Sequence, residues 1–284
     1  MKVRAHAKIN LGLNVVRKRE DGYHELEMVM APIELHDLIY INKIEEDQII
    51  ITTDSKIMPT DENNIMYKAA KLMKERYSIT SGVQMHVYKH IPMQAGLAGG
   101  STDCAAVLRA MNTMFHLNLS LDQLAVIGKE LGADVPFCIY EKMAYVEGIG
   151  EKLTFMDNHI EDEYILLVKP KKGVSTKQSF GSLDIPNEIH PDVTNLKEAV
   201  INGDYDTMVK ECENTLQRVS IQIVPQIQRV IHDLEKFNFD VALMSGSGSC
   251  CFGITKDEQL ANQAMEYFRD RRYYSVVTHF YRGE

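Results

Sequence analysis

The sequence predicts an α+β protein in two subdomains, 1–155 and 156–284. Three observations carry this: strand-type alternation fills the first 55 residues, amphipathic helical spacing follows on either side of a glycine-rich segment, and strand and helix patterns restart after Val146. The composition, 45% hydrophobic and 25% charged over 284 residues, is that of an ordinary globular chain.

Strands are expected over 3–16, 27–33, 38–41 and the β-branched 48–52. Residues 64–77 have helical spacing, with Ile65, Ala69, Leu72 and Met73 on one face. Residues 83–91 alternate again, until Pro92 removes a ladder donor. Gly96 to Gly100 then lead into Ser101, Thr102 and Asp103, an expected N-cap cluster, and the stripe Val107, Ala110, Met111, Met114 marks a helix behind it. A further helix over 121–131 stops at Gly132. Beyond it the pattern gives a strand at 164–168, several helices of which 225–237 is read as the longest, strands at 241–244 and 250–254 around a Gly-Ser loop, a helix at 258–269 and a last strand at 274–280.

Charge and cysteine usage narrow the function classes. Lys and Arg number 31 against 40 Asp and Glu, a formal net charge of −9, which argues against nucleic acid and anionic membrane as bulk partners. Apolar runs fall far short of the roughly 20 residues of a membrane span, and no signal peptide is expected. The five cysteines (104, 138, 212, 250, 251) are odd in number and lack CxxC spacing, which suits reduced thiols in a cytoplasm.

Four places could carry chemistry. The run from Pro92 to Thr102 combines glycines, which allow close backbone approach, with a helix start that offers unpaired amides, so it can cradle a phosphate; a plain glycine-rich turn is the alternative. It is neither a Walker loop nor a G-x-G-x-x-G fingerprint. A second loop, Ser245 to Ser249, could clasp a polyanion from the opposite side or be a tight turn. Asp134, after a helix end, is either a capping residue or a carboxylate able to take a proton from a substrate hydroxyl. Lys8, inside an otherwise apolar strand, faces solvent or needs a counter-charge. His24-Glu25 lacks the second His of a zinc helix, His86 and His90 share a strand face without further ligands, and adjacent Cys250 and Cys251 read as packing.

Taken together, these segments resemble the galactokinase, homoserine, mevalonate and phosphomevalonate (GHMP) kinases. Residues 5–13 (AHAKINLGL) resemble the first motif, 92–103 (PMQAGLAGGSTD) the second, 132–136 (GADVP) with 147–151 (EGIGE) the catalytic-aspartate segment, and 244–249 (MSGSGS) the third. The stretch 19–26 (REDGYHEL) resembles the members that phosphorylate a cytidine-diphosphate sugar alcohol. The resemblance implies an N-terminal domain like ribosomal protein S5 domain 2 and a ferredoxin-like C-terminal domain, with the active site in the cleft between them. It implies Asp134 as base and Lys8 as the residue that orients or acidifies the attacking hydroxyl. ATP would be held by Asn64, Pro92, Met93, Gln94, Ala95, Gly96, Leu97, Ala98, Gly99, Gly100, Ser101 and Thr102. The substrate would be held by Asn10, Tyr23, His24, Phe180, Gly246 and Gly248, with Tyr23 and Phe180 stacking on cytosine. Ala98 stands where many members have Gly, which is accommodated if φ there is negative. Thr102 and Cys104 replace the commoner Ser and Ala.

The implied reaction is transfer of the ATP γ-phosphoryl to the 2-hydroxyl of a cytidine-diphosphate methylerythritol in the non-mevalonate isoprenoid route, with Mg²⁺ as cofactor. Ser101 is the candidate Mg²⁺ ligand. The partners implied are this small molecule and, at most, a weak homodimer. The alternatives are a GHMP kinase for a small alcohol such as phosphomevalonate and a non-catalytic relative; intact Lys8 and Asp134 speak against the second.

Overall fold

The computed structural model describes residues 1–283. In chain order its elements are β1 (Lys2–Lys18), β2 (His24–Ile44), β3 (Ile49–Thr53), α1 (Ile65–Arg76), β4 (Gly82–Tyr88), α2 (Gly99–Met114), α3 (Leu121–Leu131), α4 (Val135–Tyr140), β5 (Ala144–Gly148) and β6 (Lys152–Phe155). There follow β7 (Tyr164–Lys169), α5 (Thr176–Gly181), a 3₁₀ turn at Ile185–Asn187, α6 (Val193–Asn202), α7 (Tyr205–Glu211), β8 (Glu213–Asn214), α8 (Gln217–Ile223), α9 (Gln226–Lys236), β9 (Val241–Met244), β10 (Cys251–Thr255), α10 (Glu258–Asp270) and β11 (Tyr274–Thr278). The chain forms two compact units: one of Met1–Ala7, Leu35–Met93 and Ala98–Glu141, the other of Lys8–Glu34, Gln94–Leu97 and Lys142–Glu284. Both β1 and β2 contribute residues to each.

In the first unit, β4 pairs antiparallel with Leu38–Ile44 and parallel with β3. The alternation that predicted β4 is its burial pattern: Val83, Met85 and Val87 are buried, and so are Ile39 and Ile41 opposite the last two. Helix α1 packs on α2 through a face that buries Met66, Ala69, Ala70 and Met73. Its start is fixed by Asn64, whose side-chain oxygen accepts from the Met66 amide at 2.8 Å. Ser120 and Gln123 form a reciprocal capping box on α3, which ends at Gly132 as expected.

In the second unit, Leu26–Met30 pair antiparallel with β5, β5 pairs with β6, and Gly12–Leu13 pair parallel with β8. A separate antiparallel sheet has the order β11-β7-β10-β9, backed by α9 and α10. That order, reached through strand–helix–strand–strand–helix–strand, is the ferredoxin-like arrangement the resemblance implied. Cys250 and Cys251 are core residues there, and burial pushes the Cys250 thiol up to about 12.

Several expectations are corrected. The segments 27–33 and 38–41 are parts of one strand, β2, because Glu34 to Asp37 continue the extended backbone between them. The hairpin β5–β6 was not anticipated; five- and four-residue strands are too short for a clear alternation. The longest helix after Val146 is α10, with 13 residues against 11 in α9. His90 lies beyond the end of β4 and does not share its face with His86: its Nδ1 pairs with the His36 carbonyl at 2.9 Å, whereas the His86 Nδ1 pairs with the Thr52 hydroxyl at 2.7 Å. Among the described residues no helix is long and apolar enough to cross a membrane.

Candidate functional site

The glycine-rich segment turns by three left-handed residues in succession at every second position: Gln94 (φ 52°), Gly96 (φ 76°) and Ala98 (φ 58°). Ala98 is the residue before α2, so the helix begins at Gly99. This corrects two expectations. Ala98 does not take a negative φ, and holds a conformation that costs a side chain roughly 1–2 kcal/mol. Ser101, Thr102 and Asp103 are not the cap but lie in the first turns of the helix, and Thr102 and Asp103 turn to other partners. The Thr102 hydroxyl donates to the His6 carbonyl at 2.6 Å. With α2 starting inside the loop, the amides at its head are those of Gly99, Gly100 and Ser101, donors that a helix leaves without intrahelical partners.

Asp103 points into the first unit, where the Lys89 ammonium bridges it, at 2.6 Å, to Asp37. All three are almost fully buried. Burial works to discharge Lys89, but the two carboxylates outweigh it and hold its pKa above the usual lysine value. Burial lifts the Asp103 carboxyl well above the carboxylate range, Lys89 offsets part of this, and Asp37 adds to it. Asp37 also accepts from the amides of His90 (2.6 Å) and Ile91 (2.9 Å), which pins the chain as it enters the loop. Replacing Lys89 by Met should leave two carboxylates buried without a cation and cost about 3–5 kcal/mol. Urea denaturation at neutral pH measures this, and a loss under 1 kcal/mol would mean the cluster is not structural.

In the second unit Lys8 is 5% exposed, not a solvated outer-face residue. Its ammonium donates to Asn10 Oδ1 at 2.5 Å and to the Gly96 carbonyl at 3.0 Å. The second glycine loop lies directly against this place. A Cβ on Gly96 would stand 2.0 Å from the Ser245 carbonyl, and one on Gly246 3.1 Å from the Gly96 carbonyl. The Cys250 amide donates to the Ala95 carbonyl at 3.1 Å. Here the two loops brace one another, backbone against backbone. Gly248 (φ 84°) turns toward the core, since a Cβ there would meet Met244 Sδ at 2.6 Å.

Tyr23 is 60% exposed, on the turn where Asp21 accepts from its amide at 3.1 Å. His24 and Phe180 are brought together, with ring centroids 5.1 Å apart and planes inclined by 34°. Partial burial, then the Lys18 charge, lowers the His24 pKa, which favours the neutral imidazole with one donor and one acceptor. Asp134 precedes α4 with helical backbone angles (φ −82°, ψ −12°) and its side chain makes no capping bond, so the capping alternative does not occupy it. The Asn64 side chain is engaged as the α1 cap and donates to the Pro59 carbonyl at 2.6 Å.

Sequence reasoning passed over Lys89, Asp37 and Asn214, and took Ser245 only as one end of the second loop. The first two are an unremarked Lys just past β4 and an unremarked Asp inside β2, and only burial distinguishes them. Asn214 lies in β8, three residues past the end of α7, and its side-chain amide donates to the carbonyls of Met244 (2.7 Å) and Gly246 (2.8 Å).

Comparison with known proteins assigns the class. The N-terminal domain of GHMP kinases matches residues 64–142, and the GHMP kinase C-terminal domain matches residues 196–274. A Caldicellulosiruptor bescii protein named 4-diphosphocytidyl-2-C-methyl-D-erythritol kinase is 45% identical over 267 residues, 94% of this chain and 93% of the relative. A Listeria monocytogenes serotype 4b protein of the same name is 40% identical over 278 residues, 98% of this chain and 92% of the relative. A crystal structure of 4-(cytidine 5'-diphospho)-2C-methyl-D-erythritol kinase superposes with a TM-score of 0.82 at 29% identity, covering 98% of this chain and 99% of that one. The chain belongs to the GHMP kinases, in the family of the 4-diphosphocytidyl-2-C-methyl-D-erythritol kinases.

Proposed function

We propose that this protein transfers the γ-phosphoryl group of ATP to the 2-hydroxyl of 4-diphosphocytidyl-2-C-methyl-D-erythritol. The observation that carries the reading is the 40–45% identity over nearly the whole chain to proteins of that name. In this reading the segment from Pro92 to Thr102, with Asn64, holds ATP. Phosphoryl transfer needs in-line positioning and charge neutralisation more than covalent help, and the head of α2 supplies fixed amide donors for that purpose. Asp134 takes the hydroxyl proton and Lys8 orients the hydroxyl. Asn10, Tyr23, His24, Phe180 and the turns at Gly246 and Gly248 serve the substrate. The division into domains 1–155 and 156–284 belongs to the same reading, since one family model matches on each side of it.

Mg²⁺ fits as a cation that arrives on the triphosphate. Among the described residues no three His, Cys, Asp or Glu side chains are grouped to hold a metal, and Mg²⁺ bound to nucleotides draws its ligands from phosphates and water with one or two protein groups. The Ser101 hydroxyl is the protein group proposed, and the ion would neutralise charge on the transferred group. Asp103 is turned into the first unit, where its Oδ2 pairs with Lys89. A cytoplasmic monomer or weak homodimer completes the proposal.

A coupled ADP-release assay with the cytidylated methylerythritol, phosphomevalonate, mevalonate and homoserine tests it. Turnover preferring an uncytidylated alcohol would leave only the superfamily. Truncating Tyr23 or Phe180 to Ala should raise KM for the cytidylated substrate about ten- to a hundredfold, the size of roughly 1–3 kcal/mol per stacked base, and leave KM for ATP unchanged. CMP should compete with that substrate and not with ATP; indifference to CMP would remove the two rings from the cytosine site.

A further inference from the structure

Two partners of Lys8 are themselves held by one side chain. The ammonium donates to Asn10 Oδ1 and to the Gly96 carbonyl. The Ser245 hydroxyl donates to that same Gly96 carbonyl at 3.1 Å and accepts from the Asn10 backbone amide at 3.3 Å. Ser245 has no exposed surface, so water does not substitute for its hydroxyl. Its own place is set from both sides: Asn214 donates to the carbonyls of Met244 and Gly246, and the Gly96 position, where a Cβ would overlap the Ser245 carbonyl, admits no side chain.

We infer that Ser245 is a positioning residue for Lys8, acting through Gly96 and Asn10 on where the ammonium is aimed. A lysine on a four-carbon stem loses much rotamer freedom when fixed, and only fixed acceptors repay that by holding the charge in one place. Without the Ser245 hydroxyl the Gly96 carbonyl loses a donor, the Asn10 amide loses an acceptor, and both are released to shift. Misplacement of a charge at the reacting centre by a fraction of an ångström weakens transition-state stabilisation more than it weakens the ground-state contacts that Asn10 and Gly96 make to alcohol and nucleotide. The effect therefore falls mainly on kcat.

The inference rests on the kinase reading above, and the test separates the two. Wild-type protein is first assayed for ADP release with the cytidylated methylerythritol; absence of turnover on every alcohol brings down that reading and this inference with it. With an active wild type, Ser245→Ala should lower kcat about five- to thirtyfold, the factor that one or two kcal/mol represents, with both KM values within about twofold. Its melting temperature reports the structural cost separately. Ser245→Thr, which keeps the hydroxyl, should restore kcat to within about threefold. In a Lys8→Arg background, where the ammonium is already replaced, Ser245→Ala should cost less than about threefold more. An unchanged kcat in Ser245→Ala, a loss confined to KM or to melting temperature, or a Thr variant as slow as Ala would overturn the inference. So would full additivity with Lys8→Arg; where that background is too slow to measure, the kcat and KM split decides.

Discussion

Asp134→Asn should fold, bind ATP with unchanged affinity and lose about 10²–10⁴-fold in kcat. The substitution keeps the shape, replaces one acceptor oxygen by an NH₂ donor, and removes the negative charge together with the ability to take a proton. The structure makes it a clean test. Asp134 is half-buried and leads directly into α4, but its side chain does not cap the helix, so the change removes no stabilising bond there. Pro136 supplies the rigid helix start without help from the carboxylate. Pre-steady-state measurement of ADP formation, beside equilibrium titration with a non-hydrolysable ATP analogue, checks both halves of the expectation. Turnover within a few-fold of wild type would make Asp134 a structural residue and oblige another base.

Gly100→Val should abolish ATP-analogue binding in a protein whose melting temperature is nearly unchanged. A Cβ at Gly100 meets only Ile65 Cγ2, at 3.8 Å, an ordinary contact, so the chain itself has room for a side chain. What the new methyls fill is the space outside the head of α2, where the phosphates would approach. Gly99 is a poorer place for the experiment. A Cβ there would press on Ile91 Cγ2 at 2.9 Å and approach the Lys89 ammonium at 3.6 Å, so loss of binding would be mixed with loss of packing. Unchanged affinity in folded Gly100→Val would remove the phosphate assignment from this loop.

Element types were largely legible because burial in this chain is periodic. The alternation over 83–87 and the helical stripes of α1 and α3 each bury one face, and periodicity is a signal of that one-sidedness. The ends of elements were less legible where a loop overrides local preference. Ser101, Thr102 and Asp103 have every local reason to cap a helix, yet Thr102 and Asp103 find tertiary partners in the His6 carbonyl and Lys89, and the helix starts two residues earlier at a glycine pair. The glycine loops were visible as glycines. What they do was not: that Gly96 and Gly246 exist to let two backbones touch depends on segments far apart in sequence, and spacing carries no information about that meeting. Lys8 shows the same limit, since alternation left open which side it faced and only its bonds to Asn10 and Gly96 decide.

The bracing of Gly96 by Ser245 also sets a schedule for synthesis. The two residues are 149 positions apart, and β1 finds its partner β8 only at Glu213 and Asn214. At about 5–20 residues per second, a ribosome that has just made Gly96 needs roughly 7–30 s more before it reaches the serine that holds it. During that interval the nascent loop has its glycines but not its brace. In the kinase reading proposed above, the nucleotide would stabilise this protein only once the chain is nearly complete, and a fragment that stops before residue 245 should gain no stability from ATP.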